Sequence, residues 1–116
     1  MKYLCLVFIA EKKLEALPKD EAQALIDESL NYDDTLRLGG HLLAAQALES
    51  VRARVQNGKT SILDGPFAET KEQIGGFILI DAKDMAEARQ LAAGIPSARL
   101  GGIEIRPIKE LTRSLP

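Results

Sequence analysis

The stretch that decides the fold opens the chain: Lys2-Tyr3-Leu4-Cys5-Leu6-Val7-Phe8-Ile9-Ala10. It has strand length, aromatic and β-branched residues and charged flanks. In an extended backbone successive side chains point to opposite faces, so Tyr3, Cys5, Val7 and Ile9 share one face while Leu4, Leu6 and Phe8 share the other. Both faces are apolar, and such a strand has to be covered on both sides. The stretch Gly75 to Ala82, with Phe77-Ile78-Leu79-Ile80 at its centre, repeats the pattern. The opening run does not read as a secretory leader, because Glu11-Lys12-Lys13 follows directly with no small-residue cleavage site. It is also too short to cross a bilayer.

Working outward, a polar connection leads to Pro18 and Asp20-Glu21, which open a helix with carboxylates in its first turn, where they complement the helix dipole. Ala22, Leu25, Ile26, Leu30 and Leu36 recur at helical spacing, with Asp27, Glu28, Asp33 and Asp34 largely off that stripe, and Gly39-Gly40 stops the helix. His41 to Leu48 reads as extended. Val51, Ala53 and Val55 alternate with Arg52, Arg54 and Gln56, the period of a half-exposed strand. Asn57-Gly58 is a hairpin turn, because both residues tolerate positive φ, and Lys59 to Leu63 returns as the partner strand. Asp64 to Gln73 is a polar loop with Gly-Pro punctuation. Asp84 caps a second helix, Glu87 can close a capping box, and Met85, Ala88, Leu91 and Ala92 form its apolar stripe before Gly94 and Pro96. Ile103 to Ile108 alternates as a last strand, with Pro107 at an edge or an end.

The order is strand, helix, strand, inserted hairpin, strand, helix, strand. It predicts an α+β protein of ferredoxin-like, split βαβ plan with an inserted β-hairpin, a single domain over residues 1–116. Both helices then pack on one face of an antiparallel sheet, which leaves the second apolar face open. An open face of that size exceeds what a soluble monomer tolerates, so the expectation is a homodimer closing sheet to sheet.

The 116 residues hold 15 Lys and Arg against 17 Asp and Glu, a formal net charge of −2, with 46% apolar residues. That balance removes the electrostatic case for nucleic acid or an anionic membrane. One His and one Cys give no zinc-type cluster, so no metal is expected. The paired glycines at 39–40, 75–76 and 101–102 stand outside any phosphate-binding pattern, so no nucleotide cofactor is expected either. Cys5 reads as a small buried hydrophobe in a reducing cytoplasm. Two places remain for chemistry. Asp64, Glu69 and Glu72 gather carboxylates near Phe67 and Lys71 between two buried strands, where a general acid or base can be positioned; the plainer reading is a solvated turn opened by Asp64. His41 is the one side chain that titrates near neutrality unperturbed, a proton-transfer candidate or a structural hydrogen-bonder. Tyr32 reads as a core residue with a satisfied hydroxyl. Arg99 and Arg106 can bind an anion or pair with the acidic first helix.

Asp64-Gly65-Pro66-Phe67-Ala68-Glu69-Thr70-Lys71-Glu72-Gln73-Ile74-Gly75-Gly76-Phe77 closely resembles the signature of the DGPF-containing branch of the YCII-related proteins. The opening Met1 to Leu6, the Gly40-His41 junction, the Asn57-Gly58-Lys59 turn, Ile95 to Arg99 and Glu104 to Pro107 look like the same branch, and the resemblance reaches about Glu110. It implies a ferredoxin-like fold assembling as a dimeric α+β barrel, with a cleft beside each sheet for a small molecule. Some YCII-related proteins are similar to a dehydrochlorinase of chlorinated hydroxyquinols and use a His on the first helix with an Asp. This sequence departs there: Ser29 falls near that position, and the first helix carries no His. The branch is also associated with extracytoplasmic-function sigma factors.

Two functional readings follow. In the first, a cytoplasmic dimer binds a small molecule and acts as a lyase- or hydrolase-like enzyme, with His41, Asp64 and Glu69 as catalytic acid/base groups and Phe67, Lys71 and Glu72 holding the ligand. Lys71 would stabilise a developing oxyanion. In the second, the domain is a non-catalytic regulatory module whose partner is a sigma factor.

Overall fold

The computed structural model describes residues 1–49, 51–64 and 72–114. The fold is α+β, with a four-stranded antiparallel sheet, three helices and a separate hairpin. Strand β1 (Lys2–Ala10) is central, flanked by β5 (Glu72–Asp81) and β6 (Gly101–Pro107), and β2 (Leu42–Ala47) lies outside β5. The resulting order, β2-β5-β1-β6, is the one a split βαβ chain requires. β3 (Val51–Gln56) and β4 (Lys59–Asp64) form their own two-stranded sheet. Asn57 at φ 52° and Gly58 at φ 75° make the turn between them, as the Asn-Gly pair predicts.

The two-faced reading of β1 is visible in its burial. Tyr3, Cys5 and Val7 are buried under the helices, together with Ile78 and Ile80 of β5. Leu36 of α2 (Lys19–Leu38) and Ala88 and Ala92 of α3 (Met85–Ala93) close the same cluster. Both long helices therefore cover one face. On the other face Leu4, Leu6, Phe8, Phe77 and Leu79 are only half-buried.

Local chemistry explains the element ends. Gly40 takes the left-handed conformation, φ 78°, that ends α2 and redirects the chain into β2. At α3, Asp84 Oδ1 accepts the Glu87 amide at 2.9 Å, while Glu87 Oε1 accepts the amide of Lys83 at 3.1 Å, one residue before the cap. The box is thus closed one residue further back than the usual pattern. Two short elements escape the sequence reading: α1 (Glu11–Glu15), a single turn inside the expected polar connection, and a 3-10 turn over Pro96–Leu100. β5 also starts at Glu72, earlier than the Gly75 expected, because the strand continues through the glycine pair by a bulge. Val7 pairs with Gly76 and Phe8 with Ile74, so Gly75 is the extra residue. A matching irregularity places Leu43 outside the β2–β5 register.

Candidate functional site

The glycine bulge has a spatial result. The stripe of α2 is not pressed onto the sheet along its length: Leu36 is buried at its C-terminal end, Ala22 and Leu25 are half-buried, and Ile26 and Leu30 are 52% and 58% exposed. Below these residues the sheet presents Gly75 and Gly76, which have no side chains to meet them. The gap is a cavity of about 410 Å³ between the N-terminal two-thirds of α2, the β1–β5–β2 end of the sheet and the 3-10 turn. That volume lies within the roughly 300–1,000 Å³ range of small-molecule pockets. Val7, Ile9, Leu25, Ile78, Ile95 and Leu100 form most of its apolar wall. Gly76 cannot readily be replaced, because a Cβ there would lie 2.8 Å from the Gln46 carbonyl oxygen; one on Gly75 would lie 2.5 Å from Ile9 Cδ1 and would push that side chain toward the cavity.

Few polar groups reach this space. Ser29 lines it, its hydroxyl donating to the Leu25 carbonyl one turn back at 2.8 Å. Tyr32 turns its ring to the wall and its hydroxyl to the Leu91 carbonyl at the end of α3. Burial raises the Tyr32 pKa, and nearby Cys5 adds to the effect. Asp33 also lines the cavity, and no described residue hydrogen-bonds its carboxylate. Burial raises its pKa; Arg37 one turn on works against that rise and Asp34 adds to it. A carboxylate whose pKa is raised beside an apolar cavity is a stronger base than a surface carboxylate and takes up a proton more readily.

The residues singled out from sequence fall in different places. His41 lies at the far end of β2 from the cavity, about 15 Å along the strand by the strand rise, and does not line it. Its Nδ1 bonds the Asp81 carbonyl at 2.8 Å and stands 3.9 Å from Glu87, so it ties the start of β2 to β5 and α3. Asp64 ends β4, and its side chain lies outside the described residues, as do Phe67, Glu69 and Lys71 altogether. Glu72 opens β5 opposite Ala10, at the same end of the sheet as Gly75 and the cavity. β5 therefore begins at the cavity end of the sheet, whereas His41 sits at the other. Tyr32 has the satisfied hydroxyl expected of it. Arg99 pairs with Glu28 of α2 at 2.7 Å and Arg106 with Glu104 at 3.1 Å, so both arginines are engaged by carboxylates. Cys5 is fully buried, and burial pushes its thiol up to about 11.

Sequence reasoning gives Asp33 and the Gly75-Gly76 floor no part in a site, and Ser29 enters it only as the residue near the His position of the resembled family. A glycine pair inside an apolar strand was the available signal, since glycine there marks a bulge or a place where something approaches the backbone.

A family model of the YCII-related domain matches residues 1–112. The chain belongs to the YCII-related family. An uncharacterized protein of Rhizobium meliloti (strain 1021) is 32% identical to this YCII-related chain over 114 residues, covering 93% of it and 92% of the relative. Among solved structures, the 5-chloro-2-hydroxyhydroquinone dehydrochlorinase TftG of Burkholderia phenoliruptrix AC1100, in complex with 2,5-dihydroxybenzoquinone, superposes with a TM-score of 0.56. It covers 94% of both chains at 15% identity, which is a likeness of fold. No helix of this YCII-related protein, among the described residues, is long and apolar enough to cross a membrane.

Proposed function

We propose that this YCII-related protein, a member of the DGPF branch, binds a small and mainly apolar molecule beneath α2 and accepts a proton from it with Asp33, in lyase-like acid/base chemistry. The observation that carries the reading is an apolar cavity of about 410 Å³ whose described lining contains a single ionisable carboxyl, one that no described residue hydrogen-bonds. In such chemistry the Asp33 carboxylate takes the proton and the electron pair it leaves behind expels a leaving group. A likeness in fold to a dehydrochlorinase is compatible with that reaction type. The substrate of that enzyme does not carry over with the fold, because α2 of this chain has no His where the family resemblance implies one, with Ser29 near that position. The sequence-derived roles of Asp64, Glu69 and Lys71 belong to the same proposal, as groups on the segment that enters β5 at the cavity end. In this reading His41 holds the start of β2 to β5 and α3 at the opposite end.

The proposed assembly is a cytoplasmic homodimer, a ferredoxin-like pair closing as an α+β barrel over the half-buried face of Leu4, Leu6, Phe8, Phe77 and Leu79. The spread of a single chain supports a partner: its Cα radius of gyration is 16.8 Å, against about 13 Å for a compact domain of this length. Light scattering tests the assembly, and a monomer at micromolar concentration rejects it. The binding site is tested by thermal shift with 1-octanol on the wild-type protein and on Ser29→Leu, whose larger side chain intrudes on the cavity. A concentration-dependent rise in Tm that Ser29→Leu weakens supports the reading. Equal shifts in both proteins, or none in either, reject it.

A further inference from the structure

The charge around the cavity is one-sided. Helix α2, its roof, carries Asp20, Glu21, Asp27, Glu28, Asp33 and Asp34 against Lys19 and Arg37, a net charge of −4. No Lys, Arg or His is among the described residues that line the cavity. Of the cations on the elements around it, Arg37 pairs with Asp34 and Arg99 bonds Glu28 at 2.7 Å, while Lys12 and Lys13 of α1 and Lys19 of α2 do not line the cavity. An anionic ligand would thus enter an apolar space beside Asp33 with no described countercharge, and such a buried, unpaired charge is strongly disfavoured. A neutral ligand would strip water from the Asp33 carboxylate and return at most one neutral hydrogen bond. An ammonium group would return a charge-assisted bond to a carboxylate that no described residue satisfies.

We infer that the cavity beneath α2 is built for a small apolar amine in its protonated form, its hydrocarbon part against Val7, Ile9, Leu25 and Ile78 and its ammonium group on the Asp33 carboxylate. This rests on the reading that the cavity is the ligand site and adds the charge of the ligand. An ammonium group bound there would hold Asp33 ionised, the form that accepts a proton, and draw down the pKa that burial raises. Ser29, on the same face of α2 one turn before Asp33, leaves room for the tail, and the Gly75-Gly76 floor sets its depth.

The test uses three probes with one eight-carbon tail and different heads: 1-octylamine, 1-octanol and sodium octanoate, titrated calorimetrically into the full chain at neutral pH. Octylamine should bind about tenfold or more tightly than octanol, the size expected of a hydrogen bond between charged groups. Octanoate should bind most weakly. In Asp33→Asn the advantage of the amine over the alcohol should disappear while octanol affinity is kept. Should that variant fold poorly, the wild-type protein gives the same information with N-octylacetamide, which keeps the tail and an N–H donor but carries no charge and should bind no more tightly than octanol. Octanoate or N-octylacetamide binding as tightly as octylamine, or an amine advantage that survives Asp33→Asn, overturns the amine assignment alone. Octanoate preferred through Lys71, shown by loss of that preference in Lys71→Ala, overturns it in favour of an anion. Failure of all three probes to bind overturns the cavity as a ligand site, and the amine assignment with it.

Discussion

Gly94 ends α3 at φ −85° and ψ −8°, a conformation open to any residue, so a backbone argument alone predicts that Gly94→Ala is stabilising. Lower unfolded-state entropy would contribute about 0.4–1 kcal/mol in that direction. The packing says the opposite. A Cβ at position 94 would stand 2.6 Å from Tyr32 Cζ and 2.7 Å from Cε1, and closer still to the hydroxyl oxygen. The ring cannot yield freely, because its hydroxyl is held by the Leu91 carbonyl. Overpacking of this kind costs about 1–3 kcal/mol, and the displaced hydroxyl loses a hydrogen bond of about 0.5–1.5 kcal/mol. The net expectation is destabilisation by about 1–3 kcal/mol, read as a lower urea midpoint with an unchanged slope. A double-mutant cycle with Tyr32→Leu isolates the cause. Without the ring, Gly94→Ala should be neutral or mildly stabilising, giving a coupling of at least about 1 kcal/mol. If the two substitutions are additive, or if Gly94→Ala alone stabilises the protein, the account of how α2 and α3 lock together is wrong.

Other outcomes follow from single contacts. Asp84→Ala removes the side chain that accepts the Glu87 amide at 2.9 Å, and should lower stability by about 1 kcal/mol in urea unfolding. Arg99→Ala breaks the 2.7 Å pair with Glu28, but both side chains are about half exposed, so the loss should stay below about 1 kcal/mol and shrink further with added salt. The Cys5 thiol, pushed up to about 11 by burial, stays neutral in the folded protein where an unfolded chain would ionise. Its contribution is therefore fully present below pH 9 and is lost as the pH rises from about 9 towards 11. Urea midpoints across that range should fall more steeply for the wild-type protein than for Cys5→Ala, and parallel curves would contradict the assignment.

What could be read from sequence was what local chemistry encodes. The two-faced strands, the Asn57-Gly58 turn and the Asp84 cap each follow from residues adjacent in the chain, and each stands where expected. α1 was missed because one uncapped turn carries too little periodicity to separate it from a polar loop. The cavity was missed for a different reason: it is made by side chains that are absent, at Gly75 and Gly76, under a helical stripe whose pattern looks like that of any packed helix. Ile26 and Leu30 satisfy helical periodicity without being buried, since periodicity reports the face they share and not what lies opposite. Asp33 was set aside as an off-stripe charge, although it lies near enough to the stripe to line the cavity. His41 drew attention through its intrinsic pKa, a property of the residue type; its distance from the cavity depends on strand register, which composition does not express.

The hollow beneath α2 also bears on what state of the protein is studied. The N-terminal part of that helix rests on open space, and its firm anchor is Leu36 near the other end. Whatever occupies the hollow then acts as a missing piece of the interior, and its binding free energy adds to the stability of the folded chain: about 2.7 kcal/mol at a concentration one hundred times its dissociation constant. Two preparations of identical sequence, one retaining a molecule from its host and one stripped of it, would melt at different temperatures and exchange the amide protons of the first turns of α2 at different rates. Stability measured before and after exhaustive dialysis is thus a direct record of whether the protein is purified full or empty.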